Sequence, residues 1–120
     1  MKVAVTAQGQ ALSDALDQRF GRAQWIIVVD SDSRDYHAYE NTANLNIAQG
    51  AGIQTAKRVI DLGVDAVLTG NVGPKAFATL KAAEVQIFLT DTPTISDAID
   101  ALKNGQLESV SQANVAGHWS

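Results

Sequence analysis

The chain has 120 residues, a net charge of −4 and no cysteine. That length fits one domain, the acidity argues against general nucleic-acid binding, and the lack of thiols excludes disulfides, thiolate zinc sites and thiolate-ligated iron–sulfur clusters. Hydrophobic residues at 46% and charged residues at 18% give a globular composition, and no apolar run approaches the roughly 20 residues of a membrane helix.

The N-terminus runs straight into an apolar, β-branched stretch, Lys2 to Ala7, which predicts a buried strand and leaves no signal-peptide core. A soluble, cytoplasmic protein is expected. Residues 8–23 form a long polar connection with one weak helical patch around Leu12, Ala15 and Leu16. Trp25 to Asp30 is the clearest strand, residues 30–35 a turn cluster, and residues 36–41 a hairpin partner near the sheet edge.

From residue 47 helix and strand alternate. Ile53, Ala56, Val59 and Ile60 share one helical face, which Gly63 ends. Ala66 to Thr69 is a short buried strand, and Pro74 opens a second helix with Ala76, Phe77, Leu80 and Ala83 as its stripe. Val85 to Leu89 is the last strand. Thr94 to Asp97 begins a third helix carried by Ile95, Ala98, Ile99 and Leu102 and stopped by Gly105. The order β-β-β-α-β-α-β-α predicts an α/β fold of ribonuclease-H-like type, a five-stranded mixed sheet with helices on its faces. Residues 1–105 would form the domain and 106–120 a tail without clear period.

Ligands of open α/β sheets bind beyond the carboxyl ends of the parallel strands. Three segments should meet there: the loop ending Asp17-Gln18-Arg19-Phe20-Gly21-Arg22-Ala23, the stretch from Asn41 to Gly52 with Gly50 and Gly52 at the start of the long helix, and the run Thr69-Gly70-Asn71-Val72-Gly73-Pro74, which Lys75 follows. The last lets backbone N–H groups and a helix N-terminus approach a ligand. Arg19, Arg22 and Lys75 would gather three of the nine basic residues at one rim, so the expected ligand is an anion. A plain βα turn explains Gly70 to Gly73 equally well, and Arg19 and Arg22 could be paired with Asp14 and Asp17. The run lacks the Gly-Lys-Ser/Thr ending of a P-loop.

Asp17-Gln18-Arg19-Phe20-Gly21-Arg22-Ala23 ahead of the Trp25 strand, and residues 63–77 around Thr69-Gly70-Asn71-Val72-Gly73-Pro74, resemble the signatures of the dinitrogenase iron–molybdenum cofactor-biosynthesis family of the NifX/NifB C-terminal type. The resemblance covers about residues 1–105 and looks closest to its small stand-alone branch, the orange-protein type of sulfate reducers. It implies a ribonuclease-H-like fold and the binding of a metal–sulfur cluster, either molybdenum–copper sulfide or iron–molybdenum–sulfur, without covalent attachment. It also implies a cluster donor or acceptor protein as partner. Nitrogenase-associated members usually carry His-Phe-Gly where this chain has Arg19-Phe20-Gly21. Histidine can ligate a metal and arginine, with no free lone pair, cannot.

Other chemistries are poorly supported. His37 sits in an edge-like strand and His118 in the tail, too few and too distant for a zinc site. The first strand lacks the carboxylate a two-metal nuclease places there, and no serine lies in a Gly-x-Ser-x-Gly turn. Phe20, Trp25 and Phe77 read first as core residues. The expected function is therefore a non-enzymatic cluster carrier. The alternatives are a cofactor-free interaction or regulatory module and a binder of a phosphate-containing small ligand.

Overall fold

A computed structural model describes residues 1–41 and 50–110. His118 and the middle of the stretch after Asn41 lie outside these residues. Five strands, β1 (Lys2–Ala7), β2 (Trp25–Asp30), β3 (Tyr36–Glu40), β4 (Ala66–Thr69) and β5 (Gln86–Leu89), form one sheet in the order β3-β2-β1-β4-β5. Only β2 runs against the others: it pairs antiparallel with β1 and β3, while β1–β4 and β4–β5 are parallel. The carboxyl ends of β1, β3, β4 and β5 thus share one edge. This mixed α/β arrangement fits the ribonuclease-H-like motif.

The inner strands β1, β2 and β4 are apolar on both faces because both are covered. Ala4, Ile26, Val28, Val67 and Ile87 pack against α1 (Ala51–Asp61) and α2 (Pro74–Ala82). Val3, Val5, Ile27, Val29 and Leu68 pack against α3 (Ile95–Lys103) and Leu16. The alternation follows from the two-residue period of a strand, which sends neighbouring side chains to opposite faces.

The helix limits follow local chemistry. Pro74 is the first residue of α2, and Thr94 caps α3 by accepting the Asp97 N–H at 3.1 Å. Gly63 and Gly105 follow the C-caps Leu62 and Asn104, as expected. In the β2–β3 turn the N–H groups of Ser33 and Asp32 donate to Asp30 Oδ1, and they hold its carboxyl below the usual aspartate range.

The helical patch expected around Leu12, Ala15 and Leu16 is absent. Asp14 accepts the Ala11 N–H in a tight turn, and Leu16 and Ala15 then form isolated bridges to Ala7 and Thr94. Extended pairing with strand and loop satisfies backbone groups that a short helix would have left unpaired. Beyond Gly105, Val110 donates to Ile87 O at 2.9 Å and Ser109 bridges Phe88, so the chain continues along the outer edge of β5. No helix among the described residues is long and apolar enough to cross a membrane.

Candidate functional site

At the shared carboxyl edge two neighbouring strands each place a polar residue at or next to their end. Thr6 of β1 and Thr69 of β4 are both buried, and their Oγ1 atoms lie 2.8 Å apart. Thr6 Oγ1 also donates to Asp17 O at 2.6 Å, and the Asp17 N–H donates to Thr6 O at 2.9 Å. The long first loop is thereby fastened to the sheet at the point where strand order reverses.

One step further, Arg19 forms a parallel bridge with Asn71. The Phe20 N–H donates to Asn71 O at 3.2 Å, and Asn71 Nδ2 donates to Gln18 O at 3.0 Å. The two signatures, about fifty residues apart in sequence, are therefore laced together side by side. Gly70 makes this approach possible: a Cβ there would lie 2.9 Å from Gln18 Cα and 1.9 Å from its Oε1.

Asn41 draws in the third segment. It is 1% exposed, and its Nδ2 donates to Ala23 O at 3.0 Å and to Thr55 Oγ1 of α1 at 3.2 Å. Its amide thus ties the arginine loop to the first turns of α1. Gly50 is the N-cap of that helix with φ +81°, a conformation that favours glycine, and Gly52 is buried in its first turn. Gly73 is the N-cap of α2. Neither N-cap supplies a side-chain hydrogen bond, and neither first turn holds an acid, so both positive helix ends keep their electrostatic reach.

The predicted residues fall into two layers. Phe20 and Val72 have no exposed surface and belong to the α1–α2 core, so they lie beneath the site and not on its surface. Gly21, Gly52 and Gly73 are also buried, Arg22 and Asn71 are half-buried, and Pro74 and Lys75 are exposed. Arg19 has 53% of its side chain exposed, and its Nε lies 3.6 Å from Asp17 Oδ1, on a carboxylate only 7% exposed. An arginine–aspartate pairing at this loop was one of the alternatives open from sequence, and it is present. Lys75 makes no ion pair among the described residues.

Sequence reasoning overlooked Thr6 and Thr55, gave Gln18 and Thr69 no role of their own within the segments it expected to meet, and assigned Asp17 only as a neutralising partner. Thr6 and Thr69 had a weak signal, since each is a polar residue near the end of an otherwise apolar strand. Gln18 stood out only as part of the arginine-loop signature, and Thr55 had no signal.

Chemically, the rim offers cations, helix N-termini and amides. No group of three or more His, Cys, Asp or Glu placed to hold a metal ion occurs among the described residues. Such a donor set suits an anion held through its outer atoms and does not suit a bare cation.

The model of the family described as dinitrogenase iron–molybdenum cofactor matches residues 1–105. The chain is similar to the orange protein of Desulfovibrio gigas, solved in its apo form, at 35% identity and TM-score 0.92 over 95% of this chain and 96% of that one. It is similar to a NifB-type protein of Thermotoga at 34% identity and TM-score 0.82, covering 97% and 98%. An uncharacterised protein of Methanocaldococcus jannaschii is 29% identical over 111 residues, 90% of each chain.

Proposed function

This chain belongs to the dinitrogenase iron–molybdenum cofactor family, and from that membership we propose that it is a non-enzymatic, cytoplasmic carrier of an anionic metal–sulfur cluster. The cargo is a molybdenum–copper sulfide or iron–molybdenum–sulfur cluster, held without a covalent bond and passed to or from a partner protein. The observation that carries the reading is the lacing of Arg19 to Asn71, which joins the arginine loop to the glycine run at the N-terminus of α2. Arg19, Arg22 and Lys75 would neutralise the cluster, the run from Gly70 to Gly73 and the N-terminus of α2 would face its sulfides, and Pro74 would cover it. Gly21, Asn41, Gly50 and Gly52 would shape the remaining wall, with Phe20 and Val72 as its dry floor.

Anaerobic reconstitution tests this. The protein is mixed with tetrathiomolybdate and copper, or with iron, sulfide and molybdate, then desalted and assayed for metal and visible absorption. Stoichiometric retention with a new visible band supports the carrier. The double variant Arg19→Ala/Arg22→Ala is expected to lose retention while keeping a cooperative unfolding transition. No retention by well-folded wild-type protein would favour the cofactor-free interaction module, and unchanged retention by the double variant would move the site elsewhere.

A further inference from the structure

We propose that Asp17 is a positioning residue of this site: its buried carboxylate presets the Arg19 guanidinium, so that removing this negative charge weakens the binding of an anion. The inference rests on the carrier reading above.

A carboxylate beside an anion site has the wrong sign. Asp17 is also only 7% exposed, so water screens its repulsion of a bound anion poorly. Burying it is tolerable because Oδ1 accepts the Arg19 N–H at 3.0 Å and faces Arg19 Nε at 3.6 Å. Most of the loop backbone is held by other means. Thr6 bonds both the N–H and the carbonyl of Asp17, and Asn71 bonds the Phe20 N–H and the Gln18 carbonyl. What those four bonds leave undone is the orientation of the arginine side chain. Among the described residues Asp17 is the one acid within ion-pair distance of Arg19.

With Nε facing Asp17, the two terminal nitrogens of the guanidinium meet no acid among the described residues and are left to a ligand. They form a planar fork that matches two neighbouring oxo or sulfido atoms of a tetrahedral oxyanion or thiometallate. A long side chain already oriented loses less freedom on binding than one that must be ordered by the ligand. The ligand class that gains most is a compact anion with paired terminal atoms.

Asp17→Asn preserves size and keeps an oxygen for the Arg19 N–H while removing the charge. Simple electrostatics predicts tighter binding. Positioning predicts about tenfold weaker retention of tetrathiomolybdate with copper, read by equilibrium dialysis and metal analysis. The sign should reverse in an Arg19→Ala background, where the carboxylate has nothing left to orient. There the added Asp17→Asn is expected to bind equally or more tightly. A ligand-free readout is the Arg19 Nε–H resonance in nitrogen-15 NMR, expected to be sharp in the wild type and exchange-broadened in Asp17→Asn.

Retention by Asp17→Asn equal to or above wild type, or an unchanged Arg19 resonance, overturns the proposal. If wild-type protein retains no cluster, the carrier reading fails instead, and the NMR arm still decides whether Asp17 orders Arg19. Should Asp17→Asn not fold, Arg19→Lys keeps the charge and removes Nε and the fork. It is expected to lose retention by a similar factor, and full retention there overturns the proposal.

Discussion

Gly70 shows how one residue serves both fold and site. It sits where the arginine loop crosses the end of β4, and it has room for a hydrogen and little else: an added methyl would meet the Gln18 side chain, which can turn away, and the Gln18 backbone, which cannot. Gly70→Ala is expected to destabilise the domain by about 1–3 kcal/mol, the usual cost of overpacking, seen as a lower urea midpoint. Shortening Gln18 as well should recover only part of the loss, because the clash with the backbone of residue 18 remains. Full recovery would mean that the side chain, and not the crossing of two backbones, fixes residue 70 as glycine. Little of this close approach was legible in sequence. That the glycine run and the arginine loop meet at one edge was legible from the order of the elements, but nothing in the run marked the backbone contact with residue 18.

At the scale of elements, α2 carries a charge of the wrong sign for its own stability. Lys75 lies in the first turn, where the helix dipole favours an acid, and the N-cap Gly73 offers no side chain. α3 shows the ordinary solution, with Thr94 capping and Asp97 in the first turn. Lys75→Glu is therefore expected to raise stability by about 0.5–1 kcal/mol and to lower cluster retention by about tenfold. Urea denaturation and a retention titration measure the two effects independently. A rise in both would place Lys75 outside the site. The strands and helices were largely legible because each depends on local signals: apolar runs for β1, β2 and β4, Pro74 and Thr94 at helix starts, Gly63 and Gly105 after helix ends. The Leu12–Leu16 patch misled because its apolar spacing is real, while its backbone partners, Ala7 and Thr94, are set by tertiary pairing.

The whole molecule closes its sheet unequally. β3 lies at one edge, with Tyr36 46% exposed. β5, at the other, is covered by the segment after Gly105, where Leu107 and Val110 also pack against the two cores. The match to the family model ends at residue 105, so a chain ending there tests whether the later residues matter. It is expected to fold, to lose roughly 2 kcal/mol of stability from the lost apolar packing, and to self-associate through the bared β5 edge. Analytical ultracentrifugation over a concentration series would show the association. A monomer of unchanged stability would make residues 106–120 a true appendage. Here the sequence was silent because so short an edge pairing has too little periodicity to stand out.

The two-layer build of the candidate site, a sealed apolar floor under a rim of surface side chains, has a consequence for descent with modification. Phe20 and Val72 are committed to the core and can change only at the expense of folding, whereas Arg19, Pro74 and Lys75 face outward. If the chain carries a cluster as proposed, substitutions at the rim would be screened for cargo more than for foldability. Lineages could then exchange a charged rim for a coordinating one, as histidine for arginine at position 19 would do, and diverge in what they carry while their backbones stay superimposable.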